Sequence, residues 1–309
     1  MLNQKPIWMI WGVLILLAFI WGSSFILMKI ALFDSSGAPV YSAMNVAALR
    51  ITIAALALLP IAISQFKNVD REKWGWILGV GTFGNLLPAY LFTSAQTELP
   101  SAIAGMLNSL TPLFTMMIAV LLFKTSISRN QLIGLVIGFI GASLIISDGG
   151  NLANVFTGET AISISGCGKV ALATLFYGLS VNILRNKLLE VRATTIAAIA
   201  LAMVMPFAFF ALIGSDVPTI LLENPSGLKS MFAVVVLAVI GTAAALAIFN
   251  ALIKSTDALT ASSVTYIIPL FAAMWGFVDG EELTVWHIIG GMVILLGVAL
   301  VKRGGSGKK

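Results

Sequence analysis

Ten stretches of roughly 20 apolar residues, joined by short loops, leave this 309-residue chain few ways to fold. They run Ile7–Leu32, Val40–Ser64, Trp74–Ala95, Ser101–Phe123, Gln131–Ser147, Ser163–Asn186, Ala193–Ile213, Ser230–Ile253, Ala258–Val278 and Val285–Val301. A helix rises 1.5 Å per residue, so about 20 residues cross the hydrocarbon layer of a membrane. Only helices and closed barrels satisfy their backbone there, and barrel strands alternate polar with apolar residues, which these stretches do not. With 59% hydrophobic and only 10% charged residues, and a mean hydropathy of +1.02, the chain has too little charge to cover a water-soluble domain. The expected fold is all-α and integral to the membrane, with ten transmembrane helices. The first run follows Lys5 but is too long for a signal peptide and lacks a clear A-x-A cleavage site, so it is expected to be retained.

The loops sort by charge. Lys5, Lys67, Arg71, Lys73, Lys124, Arg129, Lys187, Arg192, Lys254, Lys302, Arg303, Lys308 and Lys309 fall on one side if the ten spans are right. Asp34, Glu98, Asp148, Glu159, Asp216, Glu223, Asp279, Glu281 and Glu282 fall on the other, with Lys229 the basic exception. Basic loops face the cytoplasm, which places both termini there in a multi-pass protein of the cell (inner) membrane. The net charge of +5 is this bias rather than a nucleic-acid surface, since no basic cluster is long enough to follow a phosphate backbone. Cys167 is the single cysteine, which excludes a disulfide framework and a cysteine-based metal site. No cofactor, metal or nucleic acid is expected; the partners are the bilayer and a small-molecule substrate.

The chain is also duplicated. A shift of 156 residues sets Trp21-Gly22-Ser23-Ser24 on Tyr177-Gly178-Leu179-Ser180, Gly12 on Gly168 and Lys29 on Arg185. A shift of 157 sets Gly84 on Gly241, Phe92 on Phe249, Ala104 on Ala261, Pro112-Leu113-Phe114 on Pro269-Leu270-Phe271 and Met117 on Met274. With one residue lost in the next loop, Gly134 and Gly141 fall on Gly290 and Gly297. The expected organisation is a first five-helix repeat over 1–147, an extracytoplasmic linker over 148–162, a second repeat over 163–303 and a short basic tail over 304–309. Because five is odd, the second repeat enters the membrane from the opposite side, which makes the repeats inverted, as in carriers whose site lies between repeats near the midplane. Gly134, Gly138 and Gly141 form a small-residue face suited to packing within the chain or to a homodimer.

Trp21-Gly22-Ser23-Ser24-Phe25 with Lys29, Leu49-Arg50 in helix two, Pro112-Leu113-Phe114 in helix four and Pro269-Leu270-Phe271 in helix nine give the chain its family look. In these motifs it resembles the drug/metabolite transporter superfamily, EamA-domain branch, over essentially its whole length. The resemblance implies a ten-helix inverted-repeat permease and favours export of an amino acid or another small metabolite. It does not identify the substrate.

Arg50 lies about nine residues into helix two, roughly 14 Å deep and close to the middle of the hydrocarbon layer. A guanidinium there either meets a substrate carboxylate or phosphate, or bonds backbone carbonyls where helices meet. The matching position in helix seven carries no basic residue. Asn108, Thr111 and Thr115 share one face of helix four with Ser101 and Pro112, whose missing N–H can open a local break. Helix nine repeats the device with Ser262, Thr265, Tyr266 and Pro269. Asn85, Pro88 and Tyr90 in helix three and Thr242 and Asn250 in helix eight complete the polar set, with Trp21 and Tyr177 as aromatic walls. Isolated membrane Ser and Thr usually bond their own backbone; paired stripes at matching positions point to a cavity lining. Lys29 and Arg185, near helix ends on opposite faces, either snorkel or act as gates that pair with loop acids in one state. His287 reads as a rim residue. Gly79-Val80-Gly81-Thr82-Phe83-Gly84 fits a dinucleotide fingerprint, but no strand precedes it, so close helix packing is the better reading.

The expected function is a secondary transporter that moves a small polar or zwitterionic metabolite by alternating access. The alternatives are a non-transporting receptor, a lipid scramblase or an intramembrane enzyme. The enzyme would need convergent nucleophiles, acids or metal ligands, whereas the acids lie in loops and no catalytic residue is assigned. The acid nearest a helix is Glu98, so coupling through a buried carboxyl is not expected.

Overall fold

The computed structural model describes residues 7–149, 162–255 and 264–305. Most of the expected linker 148–162, Ser262 and the end of the tail 304–309 lie outside the described residues. Among the described residues the chain is all-helical. Eight helices are long and apolar enough to cross a membrane, and two apolar helices near the C-terminal end are shorter. We number them α1 (Ile7–Leu32), α2 (Ala43–Gln65), α3 (Arg71–Ala95), α4 (Ser101–Leu121), α5 (Arg129–Ser147), α6 (Ile164–Lys187), α7 (Ala193–Leu212), α8 (Gly227–Leu252), α9 (Val264–Val278) and α10 (Val285–Gly305). Starts are set by side-chain caps: Ser42 accepts from Asn45 N–H, Ser163 from Gly166 N–H, and Ser128 forms a reciprocal capping box with Gln131. A short helix that the hydropathy pattern does not announce, Val217–Glu223, precedes α8.

The molecule is apolar outside, and its mostly apolar interior holds a set of polar side chains. Phe210 and Phe277 are 75% and 80% exposed, whereas Arg50, Asn85, Asn182, Thr242 and Asn250 are buried. An exposed apolar surface of this extent is what lipid stabilises and water does not.

Three helices are interrupted. In α3 and α8 one stretch widens to a π-turn, Thr82–Leu86 and Val239–Ala244, and in α4 Asn108–Leu110 tightens to a 3₁₀ turn just before Pro112. The expected break at Pro112 is thus a tightening on its N-terminal side, because proline clashes with the preceding turn and its own position restarts the helix. Extra residues in π-turns free carbonyls and are frequent at functional sites.

Small residues set the packing. α5 and α10 meet along a glycine seam: a Cβ on Gly134 would lie 2.5 Å from the Gly297 carbonyl oxygen, and one on Gly141 would lie 2.6 Å from the Ile294 nitrogen. The glycine face left open between internal packing and a homodimer is therefore filled by α10. α2 packs on α7 through Ala47, Ala54 and Ala55 against Leu201, Val204 and Ala208. α1 lies on α9 and α6 lies on α4. Gly22 faces Ile268 and Phe271, and Gly178 faces Phe114 and Thr115. α1 also lies on α8, and α6 on α3.

Candidate functional site

A cavity of about 160 Å³ opens between α1, α2, α3, α4, α6, α8 and α9. One water needs roughly 10–15 Å³ by such a measure, so the space suits several waters or one small metabolite. Its walls are two similar shelves, one at each π-turn.

At the α8 turn, the Thr242 hydroxyl donates to the Leu237 carbonyl five residues back (3.0 Å) and accepts from Arg50 Nε (2.8 Å). The π-turn frees that carbonyl, and a short hydroxyl can reach both partners. Arg50 Nη1 also lies 3.8 Å from the Met28 sulfur, a weak acceptor. Trp21 donates its indole N–H to the Gly241 carbonyl (3.1 Å) and meets Phe249 edge to face at 4.9 Å. At the α3 turn, Asn85 Nδ2 donates to the Val80 carbonyl, again five residues back (3.4 Å). Tyr177 stacks on Phe92 at 5.7 Å, and Phe92 meets Phe25 edge to face. Among the described residues no arginine hydrogen-bonds to this shelf, although Arg50 lies within electrostatic reach of Tyr177. Instead α7 closes on it, where a Cβ on Gly81 would lie 2.5 Å from the Ala200 carbonyl oxygen.

Of the residues singled out from the sequence, Trp21, Arg50, Asn85, Asn108, Thr111, Tyr177, Thr242, Asn250 and Thr265 line the cavity. Thr111 donates to the Asn108 carbonyl, and Asn250 Nδ2 to the Ala193 carbonyl (3.3 Å), so both are also tied to backbone. Tyr90 and Tyr266 do not line it. Tyr90 is 40% exposed on the outside of α3, and the Tyr266 hydroxyl donates to the Val298 carbonyl on α10 (2.9 Å). A polar residue on a membrane helix has more than one face to occupy. Thr115 bonds back to the Thr111 carbonyl, Pro112 restarts α4, and Pro269 is buried within α9. Ser24, Phe25, Met28, Phe92, Ser180 and Phe249 also line the cavity; the internal match of Ser24 to Ser180 and of Phe92 to Phe249 was the available signal.

At the acidic-loop end, Lys29 is ion-paired rather than merely snorkelling. Its ammonium lies 2.5 Å from Asp279 and 2.8 Å from Glu281. The Glu281 side chain is 4% exposed and accepts the N–H groups of Ser101 (2.8 Å) and Ala102 (2.9 Å) that open α4. Burial pushes the Glu281 carboxyl up, but Lys29 and the two backbone donors outweigh it and hold the group below the usual carboxylate range. Glu281 was grouped with the loop acids by sequence; its burial follows from the approach of α4. Arg185, the internal match of Lys29, is exposed in the last turn of α6. Glu98 pairs with Lys169 and accepts from Ser163, and both lower its carboxyl's pKa. His287 is buried rather than at a rim; its Nδ1 accepts from Thr284 N–H (3.1 Å) and its Nε2 lies 3.5 Å from Asp148. Among the described residues no group of three His, Cys, Asp or Glu is placed to hold a metal ion.

A model of the EamA-like transporter family matches residues 7–147 and 164–303. The chain is 23% identical over 297 residues to a probable amino-acid metabolite efflux pump of Salmonella typhimurium, covering 92% of this chain and 91% of that protein. It is 27% identical over 303 residues to the uncharacterized inner membrane transporter YedA of Escherichia coli strain K12, covering 96% and 91%. An uncharacterized transporter of Archaeoglobus fulgidus is 23% identical over 295 residues, covering 95% and 98%. One crystal structure aligns with 96% of this chain and 98% of its own length at a TM-score of 0.60 and 18% identity, a likeness of fold alone.

Proposed function

The chain belongs to the EamA-like transporter family, and from that premise we propose that it carries a small polar or zwitterionic metabolite, such as an amino acid, across the membrane by alternating access. It is a multi-pass protein of the inner membrane and a transporter rather than an enzyme. In our reading the ten helices form two inverted five-helix repeats, 1–147 and 163–303, with both termini in the cytoplasm. Three matched features support the duplication: π-turns 157 residues apart, the pairs Trp21–Phe249 and Tyr177–Phe92, and Gly22 and Gly178 seated on matching turns of α9 and α4. Two halves that pack almost alike give one chain two arrangements of similar energy.

The observation that carries the substrate reading is Arg50, buried and facing the cavity, where it donates to the Thr242 hydroxyl and lies against the Met28 sulfur. A charge kept at this depth is costly unless something of opposite charge visits it. We assign Lys29 with Asp279 and Glu281 as the gate on the acidic-loop side, and export as the direction, after the efflux pump among the relatives. Purified protein in proteoliposomes should release preloaded metabolite faster than empty vesicles. A folded sample that moves nothing from a broad panel of amino acids and organic acids would end the carrier reading.

A further inference from the structure

Resting on the carrier reading and replacing its amino-acid example, we infer that the solute is an organic monoanion: a carboxylate on an aromatic or branched aliphatic body, without a free ammonium group. Among the described residues that line the cavity there is one cation, Arg50, and no Asp or Glu. A guanidinium has five donors. Here Nε is used by Thr242 and Nη1 faces only the Met28 sulfur, and no ion pair joins Arg50 to an acid among the described residues. The remaining donors suit a two-point grip on a carboxylate.

Charge arithmetic then separates two ligands of the same shape. A monoanion brings the loaded cavity to neutrality. A zwitterion leaves it at one positive charge and places an ammonium in a space with no carboxylate to meet it, which is unfavourable at low dielectric. The opposite shelf is neutral. Asn85 gives one Nδ2 N–H to the Val80 carbonyl, so the amide keeps Oδ1 as an acceptor and its second N–H as a donor, and neither carries a charge that would hold an ammonium. α7 packs its Ala200 backbone against Gly81, and among the described residues none of α7 lines the cavity. Trp21, Phe249, Tyr177 and Phe92 supply the apolar walls for the body between the shelves.

The test uses the full-length protein in detergent and two ligand pairs that differ only in hydroxyl against ammonium: 3-phenyllactate with phenylalanine, and 2-hydroxyisocaproate with leucine. Calorimetric titration should show at least one hydroxy acid binding tenfold or more tightly than its amino acid. Phenylalanine methyl ester, a cation without a carboxylate, should not bind. Arg50→Met should abolish hydroxy-acid binding and Arg50→Lys should retain part of it. Equal or tighter binding of the amino acids, binding of none of the four acids, or hydroxy-acid binding unchanged in folded Arg50→Met would each overturn the inference. The wild-type pairs decide even where a variant fails to fold. Flux in proteoliposomes separates this idea from its premise. Preferred amino-acid flux sinks the monoanion and leaves the carrier; preferred hydroxy-acid binding without any flux sinks the carrier and leaves the monoanion.

Discussion

The two π-turn shelves have the same backbone and opposite chemistry. At each, a widened turn frees a carbonyl five residues back and a polar side chain covers it, Asn85 in α3 and Thr242 in α8. At each, an aromatic pair stands beside it. The difference lies in the helix packed behind: α2 brings Arg50 to Thr242, while α7 brings the bare backbone of Ala200 onto Gly81. On the proposed duplication, the backbone of the two shelves is kept and their side chains have diverged, so the cavity runs from a cationic shelf to a neutral one.

Four experiments test this asymmetry. The largest effect is expected from Arg50→Met, which removes the charge that defines one shelf. Losing a buried charged partner costs ~2–5 kcal/mol of binding, a factor of roughly 30 or more in affinity for a carboxylate solute. Normal affinity in a folded variant would mean that the shelves are functionally alike. Next, Gly81→Ala should lower thermal stability by ~1–3 kcal/mol through overpacking against the Ala200 backbone. The residue 157 positions on is already Ala238, fully buried, so a stable Gly81→Ala protein would erase the packing difference. Third, Thr242→Val and Asn85→Leu each uncover a carbonyl and should destabilise by ~1–3 kcal/mol. Thr242→Val should in addition weaken carboxylate binding by about tenfold, more than Asn85→Leu does, because it also removes the acceptor for Arg50 Nε.

The smallest effect is expected at the gate. Glu281→Gln keeps an acceptor oxygen for one of the two α4 N–H groups, turns its NH2 toward the other and leaves Asp279 to Lys29, so at neutral pH the loss is on the order of 1 kcal/mol. The carboxyl of Glu281 is held below its ordinary value, so its contribution is complete above the unfolded carboxylate range, about 4.3, and disappears as pH falls through the lowered value. Thermal melts should be flat from about pH 8 to 5 and decline below about 4, and the Gln variant should lose part of that decline. Position 124, the match of Glu281 under the 157-residue shift, holds Lys124, so the other end of the repeat lacks the acid for this latch.

The helices and their order were legible because hydropathy runs report burial in lipid directly. α1, α3, α5, α7 and α10 begin or end within a few residues of the expected limits. Arg50 was legible from depth alone, and nine of eleven candidate binding residues face the cavity because matched positions share a face. The π-turns were not, since Thr82–Leu86 and Val239–Ala244 contain no proline, the single glycine in each also serves close helix packing, and a one-residue widening leaves the hydropathy of a span unchanged. Tyr90 and Tyr266 were misplaced because period alone does not say which face of a buried helix meets water. Glu281 was missed because its burial depends on α4 and α1, far away in the chain.

The glycine seam bears on how the protein is made. α5 ends at Ser147 and its partner α10 begins at Val285, with 137 residues between them, 148–284. At ~5–20 residues per second, α5 waits roughly 7–30 s after its own synthesis before α10 begins to be made. Over that interval its glycine face is without the only surface in this structure that fits it at backbone contact, among the described residues. Closure of the α5 face is therefore held open by the order of translation until α10, far later in the chain, is made.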